Sequence, residues 1–167
     1  MKISRYRPTD RTAVIGLFRE FMSELTPPLL GAEFQDYIER AIRDELGRIE
    51  EYYFGRDDQG FWVVDDVVGM VGIERQTQNS AELRRMAVKS SHRRKGIARE
   101  LLRTAEGFCR ERGYSKVVLS TSELQVAAMR LYESSGYCLV RKEAAAPASH
   151  KSVGAGLARY HYEKALG

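Results

Sequence analysis

The chain has 167 residues, 43% of them hydrophobic and 30% charged. That suits one globular domain with its own core and excludes a disordered or collagen-like chain. The net charge is +4, but seven basic residues (Arg84, Arg85, Lys89, Arg93, Arg94, Lys95, Arg99) crowd between Leu83 and Arg99 with no acid among them. The remaining twenty basic and twenty-three acidic residues leave the rest of the chain slightly negative. Positive charge confined in this way predicts local binding of an anion rather than a general nucleic-acid surface.

Ile3 to Arg7 reads as a first strand. Pro8-Thr9-Asp10 then reads as a helix start with Thr9 as a cap. Val14, Leu17, Phe18, Phe21, Met22 and Leu25 form one apolar helical face. Pro27 and Pro28 end that helix, since proline cannot continue it. Phe34, Tyr37, Ile38, Ala41, Ile42, Leu46 and Ile49 repeat the pattern and predict a single second helix. The stretch 32–58 holds nine acids against four arginines. Such a face is usually just solvated; the sharper reading is an acidic rim for a cationic substrate.

Phe61–Val64 and Val67–Glu74 read as a hairpin turned at Asp65-Asp66. Glu82–Val88 is a third strand. It alternates poorly, as expected for burial on both faces or a local irregularity. Gly96 opens a helix that Gly113 ends. Val117–Leu119 is a short buried strand. Ser122-Glu123-Leu124-Gln125 has capping-box form and starts a helix to about Ser134. Tyr137–Arg141 and Tyr160–Lys164 are strands. The 13 residues from Ala144 to Gly156 form a loop long enough to be mobile or functional. Together these elements predict an α/β fold with a mixed sheet and helices on its faces.

No apolar run is long enough for a membrane span, and the first residues lack the apolar stretch of a secretory signal. Cys109 and Cys138 make no disulfide framework, so a reducing cytoplasm is expected. Cys109 falls on an apolar helix stripe and reads as core. His92, His150 and His161 lack metal-ligand spacing, so no metal is expected.

Strand 82–88, the basic turn 89–95 and helix 96–112 carry the chemistry. A helix N-terminus presents unpaired N–H groups and partial positive charge, which suit phosphate. Gly96 admits close backbone approach, small Ala98 does not obstruct it, and Arg93, Arg94 and Lys95 add charge. A Walker loop and a three-glycine dinucleotide fingerprint are both absent.

Arg93-Arg94-Lys95-Gly96-Ile97-Ala98 resembles the Arg/Gln-x-x-Gly-x-Gly/Ala hallmark of the GNAT superfamily of acyl-CoA N-acyltransferases. Ala128-Met129-Arg130-Leu131-Tyr132-Glu133-Ser134-Ser135-Gly136-Tyr137 resembles its second signature. Gly113–Ser122 followed by Gln125 resembles the camello-like N-acetyltransferases. The resemblance implies a three-layer αβα fold with a central mixed, splayed sheet, and one N-acetyltransferase domain over residues 1–167. It implies acetyl-CoA as co-substrate and direct transfer to a primary amine in a ternary complex.

By the same resemblance, Met86, Ala87 and Val88 would pair with the pantetheine arm, and the Met86 N–H would polarise the thioester. Backbone from Arg93 through Lys95, Gly96 and Ile97 to Ala98 would hold the pyrophosphate. Tyr132 would be the general acid and would border the cofactor, and Glu82 the general base. Gln125 stands where the family usually has asparagine; it reads either as part of the capping box or as a CoA contact. Residues 22–58 and 143–160 would form the acceptor pocket, whose acidic bias predicts a cationic amine. No nucleic-acid or membrane partner is expected, and a homodimer is left open. The alternatives are a non-catalytic acetyl-CoA sensor on the same fold and nucleic-acid binding through residues 84–99.

Overall fold

The computed structural model describes residues 1–167. Its strands are β1 (Ile3–Arg5), β2 (Gly60–Val64), β3 (Gly69–Arg75), β4 (Ser80–Val88), β5 (Lys116–Ser122), β6 (Cys138–Glu143) and β7 (Arg159–Ala165). Its helices are α1 (Arg11–Leu25), α2 (Gly31–Asp44), α3 (Ile49–Tyr52), α4 (Ile97–Glu111) and α5 (Val126–Ser134). The strands form one sheet in the order β1-β2-β3-β4-β5-β7-β6. Only β4 and β5 run parallel; the other pairs are antiparallel.

Two apolar layers cover the sheet. Alternation along β2 sends Phe61 and Val63 to one face and Trp62 and Val64 to the other. The first pair packs with α1 and α2 through Phe18, Phe34 and Ile38. The second packs with α4 through Leu101, Ala105 and Phe108. The three-layer mixed-sheet expectation is therefore met. Cys109 is fully buried in the α4 layer, as expected, and burial pushes its thiol up to about 12.

Two local expectations need correction. Thr9 does not cap the first helix. Pro8–Asp10 forms a 3-10 turn, and the Asp10 carboxylate accepts the Arg7 N–H at 2.9 Å. The second helix is also not continuous. It ends at Asp44, Glu45 leaves helical space (φ −140°, ψ −67°), and Leu46–Arg48 is a 3-10 turn before α3. The apolar spacing survives this break, so periodicity could not reveal it.

The break has an electrostatic partner in β4. Met70 pairs with Ala87 but Gly72 with Arg84, so β4 holds one extra residue opposite β3. This bulge is the irregularity its sequence suggested, and Arg85 takes φ 58° within it. In a regular strand Arg84 and Arg85 would point to opposite faces. Here both reach Glu45. Arg84 Nη2 and Arg85 Nη2 donate to its Oε1 at 2.7 and 2.8 Å. Arg85 Nε and the Tyr53 hydroxyl donate to its Oε2 at 2.9 and 2.5 Å. Gly72 allows this packing, because a Cβ there would sit 2.9 Å from the Tyr53 ring.

Glu45 has no solvent exposure. Burial alone would raise its pKa, but Arg85 and Arg84 outweigh burial and hold it at about 2. Its contribution to stability is complete above the ordinary carboxylate range. It is lost as pH falls from about 4.5 towards about 2. Glu45→Gln, which leaves the buried Arg85 without a carboxylate and Arg84 with Glu74 alone, should cost about 3–5 kcal/mol at neutral pH. Urea denaturation of both proteins between about pH 7 and pH 2 measures this. Equal stability at neutral pH would refute the assignment.

Candidate active site

β4 and β5 pair only over Ser80–Glu82 against Lys116–Val118. Beyond Glu82 the two strands part, and Leu83–Val88 have no β5 partner. A cleft fills the gap. Its walls are Glu82–Ala87 from β4, Ser120–Ser122 from β5, and Gln125 and Tyr132 beyond them. Phe18, Phe21, Met22 and Leu25 of α1 with Phe34 and Tyr37 of α2 close its apolar side. Lys151, Val153 and Arg159 close the rest. Of the residues expected from sequence, Glu82, Met86, Ala87, Gln125 and Tyr132 therefore meet in one cleft.

Val88 ends β4, and the chain turns through Ser90–His92 into α4. Gly96 is the N-cap at φ 81°, a conformation that costs a side-chain-bearing residue dearly, and no side chain caps the helix. The first intrahelical bond is Glu100 N–H to Gly96 O at 3.1 Å. The N–H groups of Ile97, Ala98 and Arg99 precede it and form an uncapped helix terminus.

The expectation for the basic segment changes in part. Arg84 and Arg85 face the opposite side of β4 and are consumed by Glu45. Arg93 Nη1 and Nη2 bind Glu24 at 2.8 and 3.1 Å, and its Nε donates to Val88 O at 3.2 Å. Its side chain clamps the turn onto α1. Lys89, Arg94, Lys95 and Arg99 keep their charge near the α4 terminus without a carboxylate partner.

Tyr132 packs against the Tyr137 ring, with centroids 5.8 Å apart. Its hydroxyl has no protein partner and borders the cleft. Burial alone raises its pKa, so the phenol is a proton-bearing donor at neutral pH. The capping-box expectation is not met: α5 begins at Val126, its N-cap is Gln125, and no side chain caps it. Gln125 Oε1 instead accepts from Ser122 N at 3.3 Å and Thr121 Oγ1 at 2.5 Å, and Ser122 Oγ accepts from Leu124 N at 3.3 Å, which closes the turn between β5 and α5.

Glu82 accepts from Lys151 Nζ at 2.7 Å, and the same ammonium lies 3.1 Å from Glu74. The loop that carries Lys151 is pinned. Arg40 binds the carbonyls of Ser149 and Ser152, and Arg85 Nη2 donates to His150 O at 2.6 Å. These bonds hold the loop against α2 and β4.

Of the nine acids of residues 32–58, Asp44, Glu50, Glu51 and Asp58 each pair with an arginine, Glu45 is buried, and none of the nine lines the cleft. Glu82 is the cleft's only carboxylate, against Arg84, Arg85, Lys151 and Arg159. Sequence reasoning missed Glu45, Lys151 and Arg159. Their one signal was placement in the segments expected to form the acceptor pocket.

Solved structures share this fold. A Staphylococcus aureus acetyltransferase of the GNAT family superposes with TM-score 0.78 at 20% identity, covering 99% of both chains. An aminoglycoside 6'-acetyltransferase type Ii gives 0.71 at 20% identity, covering 100% of this chain and 98% of that one. At these identities the likeness is one of fold.

The model of the acetyltransferase (GNAT) family matches residues 17–137, and the chain belongs to that family. N-acetylaspartate synthetase of Xenopus tropicalis is 40% identical over 106 residues, 61% of this chain and 39% of that protein. N-acetyltransferase 8 of Homo sapiens is 36% identical over 110 residues, 61% of this chain and 48% of that protein. The chain spans about half the length of these curated relatives or less. No helix is long and apolar enough to cross a membrane.

If backbone rather than side chains holds the phosphates, Gly96→Val should weaken CoA binding at least about tenfold, or ~1.4 kcal/mol. Arg93→Ala, which removes an exposed side chain already engaged by Glu24, should weaken it less than about threefold. Calorimetry with CoA checks both; the reverse order would refute the backbone cradle.

Proposed function

We propose that residues 1–167 form one N-acetyltransferase domain that moves the acetyl group of acetyl-CoA to a primary amine within a ternary complex. The observation that carries this reading is the parting of β4 and β5 after Glu82, with the Tyr132 hydroxyl bordering the gap. In this reading the β4 edge at Met86–Val88 receives the pantetheine arm as a strand would. The pyrophosphate rests on the N–H groups at the start of α4.

The acceptor must attack as a free amine, and an alkyl ammonium titrates near pH ~10.4. Glu82 takes its proton, directly or through water. Because Lys151 pairs with Glu82, the acceptor ammonium must first compete with that lysine. The neutral nitrogen then adds to the thioester carbonyl. The Met86 N–H stabilises the oxygen that becomes negative, a contribution of several kcal/mol when preorganised. Collapse breaks the C–S bond and expels CoA thiolate, the second amine proton passes to solvent, and the Tyr132 hydroxyl hydrogen-bonds the departing sulfur.

A free thiol has a pKa near ~8.5, and burial lifts Tyr132 above the ordinary ~10. Full transfer from tyrosine to thiolate is therefore uphill in the resting site. The contribution of Tyr132 lies in a fixed hydrogen bond that strengthens as the sulfur becomes anionic. None of the acids of residues 32–58 lines the cleft, so this reading specifies a primary amine without requiring further positive charge. Both cysteines are unpaired, which supports the cytoplasm as compartment.

Tyr132→Phe should lower kcat at least about tenfold while changing the acetyl-CoA dissociation constant less than about threefold. CoA release from a panel of primary amines measures the first and calorimetry the second. Unchanged kcat removes Tyr132 from the chemistry. Tight acetyl-CoA binding with no acylation of any amine leaves the sensor alternative instead.

A further inference from the structure

Arg159 is the one cation of the cleft without an acidic partner. Arg84 and Arg85 share Glu45, and Lys151 lies between Glu74 and Glu82. No carboxylate oxygen comes within 4.0 Å of an Arg159 nitrogen. Its only partners are on Ser120. Nε donates to Ser120 Oγ at 3.3 Å, and Nη2 to Ser120 O and Oγ at 3.0 Å each. Nη1 makes no hydrogen bond to the protein.

The position is held from both sides. Arg159 stands opposite Ser122 at the start of β7, so two strands and Ser120 fix its guanidinium against the β5 wall. The side chain is partly buried, and burial lowers its pKa, with Arg85 and Arg84 adding repulsion. A guanidinium remains charged despite this. The nearest helpful acid, Glu82, is already engaged by Lys151 at 2.7 Å. A partly buried, fixed, uncompensated cation at a cleft wall matches a planar anionic group on the ligand, because carboxylate oxygens accept from guanidinium N–H groups in a shared plane.

We propose that Arg159 determines acceptor specificity by binding a carboxylate on the amine substrate, so that the enzyme prefers amino acids to amines that lack a carboxylate. This rests on the acyl-transfer reading above. It reverses the electrostatic expectation drawn from the acidic stretch 32–58.

The test compares matched pairs with the whole chain and saturating acetyl-CoA. Amino acids with acidic, apolar and thioether side chains are each paired with their carboxamides, and CoA release gives kcat and KM. The amide amine, near pKa ~8, is the more easily deprotonated member, so preference for the acid cannot come from amine availability. The expected result is a kcat/KM at least about tenfold higher for the acid in one or more pairs, carried mainly by KM. In Arg159→Gln that ratio should fall towards one, and Arg159→Lys should restore part of it. Acetyl-CoA binding identifies a folded variant, and if R159Q does not fold, the wild-type ratio and R159K decide. Equal efficiency for acid and amide in every pair overturns the carboxylate anchor alone. So does an R159Q variant that lowers both members alike. Release with no amine at all overturns the acyl-transfer reading, and the anchor with it.

Discussion

Glu45 is a carboxylate without solvent, and four donors from Arg84, Arg85 and Tyr53 surround it. Each connection constrains a different part of the molecule. The helix must stop at Asp44 so that Glu45 can turn inward. β4 must bulge so that two successive arginines face the same way. Arg85 then reaches on to Tyr37 Oη at 2.6 Å and His150 O at 2.6 Å, tying α2 and the 144–158 loop to β4. The Phe18 ring lies under its guanidinium at 5.2 Å. A salt bridge of this kind is a poor source of net stability, because desolvation offsets most of its attraction. Its effect is to specify one arrangement, since any alternative leaves charge buried and unpaired.

The bulge also links that network to the cleft. Pairing to β3 is preserved on both sides of Arg85-Met86, while pairing to β5 ends at Glu82. One edge of β4 is thus fixed by the sheet and the other is left without a strand. A strand edge of this sort is usually an aggregation hazard. Here α1, α2 and the pinned loop wall it in, which leaves room for an extended ligand and little for another sheet. The residues that would contact the acyl group sit on this rigid edge rather than on a loop, which favours fixed geometry at the reacting atoms.

Much of this was legible in the sequence. The succession of elements along the chain, α4 and its Gly96 start follow from local patterns, because each depends on neighbours a few residues away, whereas Tyr132 and Glu82 are singled out by the resemblance to acyltransferase signatures. Glu45 did not, because Ala41, Ile42, Leu46 and Ile49 continue a helical spacing straight across the break. Arg84 and Arg85 were misread for a different reason. A charge count treats consecutive arginines as one patch, and only the bulge decides that these two turn away from the anion site. Lys151 and Arg159 answer to Glu82 and Ser120, 69 and 39 positions away in sequence, and no local pattern encodes such partners.

The fate of the basic cluster clarifies how charge is used. Arg84 and Arg85 are neutralised inside, and Arg93 is spent on Glu24. What remains near α4 is a helix terminus with exposed lysine and arginine around it, where solvent screening is strong and backbone donors supply direction. Arg159 is more sheltered, partly buried against Ser120 and stripped of some of its water by folding. A cation in that state has less hydration left to lose when an anion arrives, so the same contact is worth more there than at the surface. In the proposed complex negative charge would be handled by different physics at the two places: backbone dipoles would meet a phosphate that stays partly solvated, and a single preorganised guanidinium would meet an acceptor carboxylate held in one place.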